Sequence, residues 1–360
     1  MAENKVSFLE KVKNFFKNLP SNIVNGFKAF VQGVKDIPKA FKDDNGKFTI
    51  KKVKGWIYLS PAIVLLAIFT FYPLFYSVLL SFWKGYKISL AAAGEMPLEL
   101  SLVNYKAVIL GNDKFIEGLK NTAVLAVITV PLSTIIALLI AIGLNSIKPL
   151  RKILQTIFLL PYVTNSVAIG MVFAMIFNVV EGGVDANTMQ TIIIDPGLFN
   201  RLLALFGIKD TVFWINTGAP WIAKIFVTSV YIIWNALPFK ILILLGALQS
   251  VNKQYYDAAK VDGSSRFTIF RKITVPLISP MLFYIIVTGF IGAFKEYSSI
   301  VGIFGENFEI HKMYTMVGFI YDSMDDLWYG RAAAGAMVLF IIIMIVTAIQ
   351  FAVSKKRVHY

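Results

Sequence analysis

Six long apolar stretches run along the chain: Trp56–Phe82, Asn121–Leu144, Ile153–Phe177, Ile225–Leu248, Pro276–Phe294 and Ala332–Val353. Each approaches the ~20 residues that a helix needs to cross the hydrocarbon core of a bilayer. Inside lipid the backbone can satisfy its hydrogen bonds only in helices or closed barrels. These runs lack the polar–apolar alternation of barrel strands. The pattern therefore predicts an all-α integral membrane protein with six transmembrane helices. Pro73, Pro131, Pro161 and Pro238 fall inside the predicted spans. Each such break costs about 3 kcal/mol in a soluble helix but is tolerated in a membrane bundle, where neighbours re-satisfy the backbone.

Residues 1–55 follow another pattern. Val12, Phe15, Phe16 and Leu19 recur at helical spacing among Lys11, Lys13 and Lys17, and Phe27, Phe30, Val31 and Val34 continue beyond Pro20. The segment has no uninterrupted apolar core of the signal-peptide kind. It predicts one or two amphipathic helices on the inner membrane surface, attracted by anionic lipid; a solvated basic tail is the alternative. The chain thus divides into a basic amphipathic extension at 1–55, a six-span core at 56–354 and a basic tail at 355–360.

Composition supports a membrane solvent. Of 360 residues, 57% are hydrophobic and only 16% charged, against about a quarter charged in soluble domains. With no cysteine, disulfides and thiolate chemistry are excluded; His311 and His359 alone supply imidazole, which nearly excludes a histidine metal site. The net charge of +14 has a location. Basic residues crowd the segment before the first span, then Lys148, Arg151 and Lys152, then Lys253, Lys260, Arg266, Arg271 and Lys272, and finally Lys355, Lys356 and Arg357. Acidic residues sit on the other side: Glu181, Asp185, Asp195, Glu306, Glu309, Asp322, Asp325 and Asp326. The positive-inside rule places both termini in the cytoplasm and makes membrane lipid, not nucleic acid, the partner of the charge.

The loop at 251–276, between the fourth and fifth spans, is the most informative. Asp257, Ala258 and Ala259 suit the start of a short helix, where an acidic side chain favours the macrodipole and alanines leave a low-relief surface. Gly263 ends that helix. Phe267, Ile269, Phe270 and Ile273 mark a second helix leading into the membrane. The order Asp257-Ala258-Ala259, Gly263, Ile273 and Pro276 resembles the E-A-A-x3-G-x9-I-x-L-P pattern of membrane subunits of binding-protein-dependent ABC importers, with Asp257 for Glu and Val275 for Leu. In that family the short helix is the coupling helix, which docks in a cleft of the ATPase. Leu245–Val251, Phe158–Tyr162 and Gly197–Asn200, with Leu203 and Gly207, extend the resemblance over roughly residues 56–353 to the larger subunit of maltose and oligosaccharide permeases, a type I importer permease. The resemblance implies a bacterial cell-membrane protein acting with a second homologous permease subunit, two copies of a cytoplasmic ATPase and an extracellular solute-binding protein. ATP and Mg would then bind on the ATPase, with no cofactor on this chain. Asp257, Ala258, Ala259 and Gly263 are the implied ATPase-coupling residues.

An uncharged sugar is recognised by hydrogen bonds and ring stacking. Tyr162 and Ser166 are four apart and predicted on one helical face. Asn235, with Tyr231 and Trp234, lies just before Pro238. Sugar contacts carried over from the maltose permease fall on Tyr162, Ser166, Ile232, Ala236, Gly289, Ala293 and Glu296. Interhelical packing is the alternative for each polar residue. For Lys240, snorkelling and an interior partner both stand open. No phosphate-cradling G-x-x-x-x-G-K-[ST] loop is present, and the residues make no nucleophile–His pair or paired-carboxylate cleft. The chain therefore reads as a non-enzymatic transport subunit. A secondary transporter would call for an internal repeat or ion-coupling carboxylates. A membrane enzyme and a non-transporting scaffold are the other rivals.

Overall fold

The computed structural model describes Gln32 and residues 50–86, 99–147, 153, 156–157, 162, 164–184 and 191–354. The predicted surface helices within 1–49 and the tail at 355–360 lie outside the described residues, Gln32 excepted. The chain divides into two compact units, Met1–Tyr76 and Ser77–Tyr360. In the first, α1 (Ile50–Leu66) runs into a π-helical turn at Ala67–Phe71, where the Tyr72 N–H reaches back to the Ala67 carbonyl. The turn ends two residues before Pro73, whose ring and missing N–H disturb the regular helix ladder. α2 (Tyr72–Phe82) follows.

The second unit continues with α3 (Val103–Ile109), α4 (Asp113–Ser146) and α5 (Ser166–Phe177). Next come the strands β1 (Val180–Val184) and β2 (Thr191–Asp195), α6 (Gly197–Leu205), α7 (Trp221–Ser250) and α8 (Lys253–Val261). α9 (Arg266–Leu277) and α10 (Ser279–Phe294) meet at a 68° bend. α11 (Ser298–Phe304), α12 (Phe308–His311), α13 (Met316–Asp325) and α14 (Tyr329–Ser354) complete the order. Among the described residues, Ile57–Phe82, α4, α7 and α14 are long and apolar enough to cross a membrane, and α9 with α10 makes a fifth if the bent pair is one span.

Three sequence expectations need correction. The predicted third span is not one continuous helix. Ile153, Thr156, Ile157 and Tyr162 are helical, but the chain leaves the helix at Thr164–Asn165. Asn165 is extended, and its Oδ1 accepts the Val167 and Ala168 N–H groups at 2.9 and 3.2 Å. This is an N-cap that starts a new helix. Tyr162 and Ser166 therefore lie on opposite sides of a break, not on one helical face. The helix after the next break begins at Ser279 and not at Pro276, because the bend falls at Ile278. Finally, the all-α expectation misses a hairpin: β1 and β2 pair antiparallel, with Val180 opposite Asp195 and Val184 opposite Thr191, and Thr191–Ile194 is a β-branched run.

Packing depends on small residues and on a few polar crosslinks. α4 and α7 share a core of Ala137, Ala141, Ile241, Leu244 and Leu245; the alanines bring the helix backbones close. Lys240 on α7 is buried (5% exposed). Its ammonium donates to the Val130 carbonyl at 3.2 Å, Ser133 Oγ at 2.7 Å and Thr134 Oγ1 at 3.0 Å, all on α4 beside Pro131. Of the two readings left open for Lys240, the interior partner holds. Asn121 on α4 is fully buried; it donates to the Tyr314 carbonyl at 2.9 Å and accepts from Trp221 Nε1 at 2.8 Å. Its neighbour Thr122 accepts the Met316 N–H at 3.0 Å, so the 312–316 segment is strapped to α4. α5 crosses α11 at a pair of glycines. A Cβ at Gly170 would lie 2.6 Å from the Gly302 Cα, and one at Gly302 2.8 Å from the Gly170 Cα.

Two outcomes follow from these contacts. Gly302→Val drives a side chain into backbone that cannot rotate away. Its cost should exceed the roughly 1–3 kcal/mol of ordinary overpacking and appear as a lowered thermal midpoint of the purified protein. Unchanged melting would contradict the close crossing. Ser133→Ala removes an acceptor from a buried cation and should cost about 1.5–3 kcal/mol. In a Lys240→Met background the same change should cost much less, and a double-mutant cycle in denaturant measures the difference.

Candidate functional site

A cavity of about 300 Å³ opens between α4, α7 and α10 and is capped by Tyr162. Of the predicted pathway residues, Tyr162, Ile232, Asn235, Ala236, Gly289, Ala293 and Glu296 line it. These positions share a wall for a helical reason: 232, 235, 236 and 239 fall on one face of α7, and 285, 288, 289, 292 and 293 on one face of α10. Ser166 is not among the lining residues. Its carbonyl instead accepts the Tyr231 hydroxyl at 2.6 Å, tying α5 to α7. Trp234 packs on Phe173, ring centroids 5.7 Å apart, so it too serves the helix contact.

The cavity combines an aromatic wall with neutral polar groups. Tyr162 stacks on Phe239 with centroids 6.0 Å apart and planes inclined by 18°. Thr129 Oγ1 is buried without a hydrogen-bond partner, and the Asn235 amide makes no hydrogen bond to another described residue. Both line the cavity. Of the two charged lining groups, Lys240 is fully engaged and Glu296 through one oxygen only. The three N–H groups of Lys240 are taken by α4, and Glu296 Oε1 accepts the Ser299 N–H at 3.0 Å at the start of α11. Lys295 is exposed and forms no ion pair with Glu296. Sequence reasoning missed Thr129, Ser133 and Thr288 as lining residues. The available signal was Thr129 and Ser133 at helical spacing either side of Pro131, in an otherwise apolar run.

The loop at 251–276 forms the two predicted helices, with one correction. α8 begins at Lys253, not at Asp257, because Asn252 caps it: its Oδ1 accepts the Gln254 N–H at 2.9 Å. Asp257 thus sits one turn inside the helix, 3.5 Å from Lys260 in an exposed pair. Such a pair contributes little stability. Ala258 is exposed and Ala259 buried. Gly263 has φ of +70°. The Ser264 N–H bonds the Ala259 carbonyl at 2.9 Å and the Gly263 N–H bonds the Lys260 carbonyl at 3.0 Å. This is the Schellman arrangement, in which glycine avoids the Cβ penalty of a left-handed residue. Tyr255, Val261 and Phe267 leave large apolar surface exposed around the loop.

The family described as "Binding-protein-dependent transport system inner membrane component" matches residues 115–359. The lactose transport system permease protein of Rhizobium radiobacter is 27% identical over 311 residues, covering 85% of this chain and 95% of its own. The trehalose/maltose transport system permease protein of Thermococcus litoralis is 25% identical over 304 residues, covering 84% and 94%. In fold, the chain is similar to a chain of a bacterial alginate ABC transporter solved in complex with an alginate pentasaccharide-bound periplasmic protein. The TM-score is 0.66 at 19% identity, covering 85% of this chain and 96% of that one. The chain belongs to the family of binding-protein-dependent transport system inner membrane components and is a multi-pass membrane permease of an ATP-binding-cassette importer.

Proposed function

We propose that this permease carries a sugar or oligosaccharide through the α4–α7–α10 cavity and couples that movement to ATP hydrolysis on a partner through α8. The observation that carries the reading is the cavity lining. An aromatic face at Tyr162 and Phe239 stands beside the Asn235 amide, which has no partner among the described residues, while the Lys240 ammonium is taken up by α4. A hydroxyl-rich, neutral solute matches that set, since ring stacking and hydrogen bonds are what the cavity offers. Relatives named for lactose and for trehalose/maltose support the same substrate class. The pathway is assigned to Tyr162, Ile232, Asn235, Ala236, Gly289, Ala293 and Glu296; Ser166 acts through its carbonyl on Tyr231.

The working assembly holds a second homologous permease, two ATPase copies and an external solute-binding protein. Six spans cross the bacterial cell membrane, the third broken at Asn165, with both termini cytoplasmic and the basic extension ahead of α1 lying on the inner surface. Asp257, Ala258, Ala259 and Gly263 form the coupling element that meets the ATPase. ATP-driven closure of the ATPases displaces α8, and the spans then exchange inward and outward access to the cavity.

Uptake and ATPase measurements on the purified importer test this reading. At Gly263 a Cβ meets no atom within 4 Å, so the cost of Gly263→Val is one of backbone conformation, roughly 1–2 kcal/mol. Gly263→Val and Asp257→Lys should leave insertion intact yet lower uptake per ATP hydrolysed, whereas Tyr162→Ala should weaken uptake with assembly unchanged. Parent-level transport by all three variants would remove the coupling and pathway assignments together. Orientation is checked separately in this cysteine-free chain. Ser264→Cys should be labelled only after the cytoplasmic side is opened, and Asn187→Cys from outside intact cells; the reverse pattern would invert the topology.

A further inference from the structure

A second cleft of about 300 Å³ lies at the C-terminal ends of α4 and α7, between the span ends and the inward face of α8. Its floor is apolar, with Ile142 of α4, Leu248 of α7 and Phe270 of α9. Lys260 and Arg266 stand at its walls beside the Tyr256 ring. Tyr256 and Lys260 are four apart, so one face of α8 looks into the cleft. No carboxylate lines it. Of the nearby carboxylates outside the cleft, Asp257 meets Lys260 only through the exposed 3.5 Å pair, and Asp262, the C-cap of α8, is exposed and forms no ion pair among the described residues. Among the described residues Arg266 forms no ion pair, and the Tyr256 hydroxyl has no hydrogen-bond partner.

The depth of the cleft matters as much as its charge. Ile142 and Leu248 lie within four residues of the ends of α4 at Ser146 and α7 at Ser250, which is about 6 Å of helix. An apolar floor at the last turn of two spans, with two cations beyond it, matches an amphiphile whose anionic head is at the membrane surface and whose first methylenes reach inward. We propose that this cleft binds the headgroup of an anionic phospholipid of the inner leaflet, wedged between the span ends and the coupling helix. The proposal rests on the orientation argued above, in which α8 faces the cytoplasm. Phosphate oxygens accept from Arg266, Lys260 and the Tyr256 hydroxyl, and the glycerol and upper acyl carbons cover Leu248 and Phe270. Basic pockets between helices at a cytoplasmic surface recognise acidic lipid heads in this way. Lipid composition would thereby act on the position of α8 without touching the solute cavity.

The test reads lipid on the full chain and involves no transport step, so it stands or falls apart from the uptake assays. The purified chain is equilibrated with equal phosphatidylglycerol and phosphatidylcholine, and retained lipid is counted by native mass spectrometry. A fluorescent phosphatidylglycerol titration then gives the apparent Kd. Phosphatidylglycerol should be retained preferentially. The double variant K260Q/R266Q should weaken it by on the order of tenfold or more, while the charge-conserving K260R/R266K should bind as the parent does. Three results would overturn the proposal: equal retention of the two lipids, an unchanged Kd in K260Q/R266Q, or equal losses in both double variants. Displacement of the lipid by equimolar inorganic phosphate would also overturn it, by making this a simple anion site. A thermal midpoint within a few degrees of the parent shows that each variant compared is folded.

Discussion

The ammonium of Lys240 is the crosslink on which the centre of the molecule depends. It is the tip of a long side chain on α7, yet its three hydrogen bonds all end on α4, within the turn that Pro131 disrupts. Proline removes a donor from the helix ladder; here the Ser133 and Thr134 hydroxyls bond back to carbonyls of the preceding turn, to Thr129 and Val130. The cation then gathers those same hydroxyls. A buried charge without such acceptors would be very costly. With them, two long helices are held in one register at the wall of the cavity, where the Asn235 amide is left unpaired among the described residues.

A second polar set does the same work at the N-terminal end of α4. Lys114 reaches Glu309 at 3.0 Å and Asp322 at 3.3 Å. Glu117 accepts the Tyr314 N–H at 3.2 Å, and Lys224 donates to the carbonyls of Thr217 and His311. Burial lowers the pKa of the His311 imidazole below its ordinary value, and the Lys224 charge pushes in the same direction. The irregular 305–316 segment is thus secured by backbone acceptors. Irregular backbone at the edge of a membrane bundle needs this, because its own groups have no helix ladder to satisfy them.

Much of this was legible in the sequence because hydropathy and turn chemistry act locally. The long spans appear as apolar runs, and Gly263 ends its helix with the left-handed φ that its position implied. The breaks were less legible. Asn165 looks like one more polar residue in an apolar run until its side chain is seen to cap α5. Asn252 likewise moved the start of α8 by a turn, because a cap depends on the φ and ψ of one residue and not on composition. On α7 and α10 the lining positions came from the family resemblance, and their shared helical face explains why they fall on one wall. On α4 the pattern of Thr129 and Ser133 around Pro131 was visible, but the role of Ser133 depends on a lysine more than 100 positions away.

The two caps of α8 also have a mechanical meaning. Asn252 fastens one end and the Schellman turn at Gly263 the other, and only the four residues between Val261 and Arg266 connect it to α9. So short a tether has almost no slack: fully extended it reaches little more than ~14 Å. A push on α8 therefore has no loose chain in which to dissipate. It must emerge as rotation about Gly263 or further along, at the 68° elbow where α9 meets α10. Under the coupling role proposed for α8, the segment is a short lever with two joints, and the second joint opens onto the helix that carries Gly289, Ala293 and the approach to Glu296.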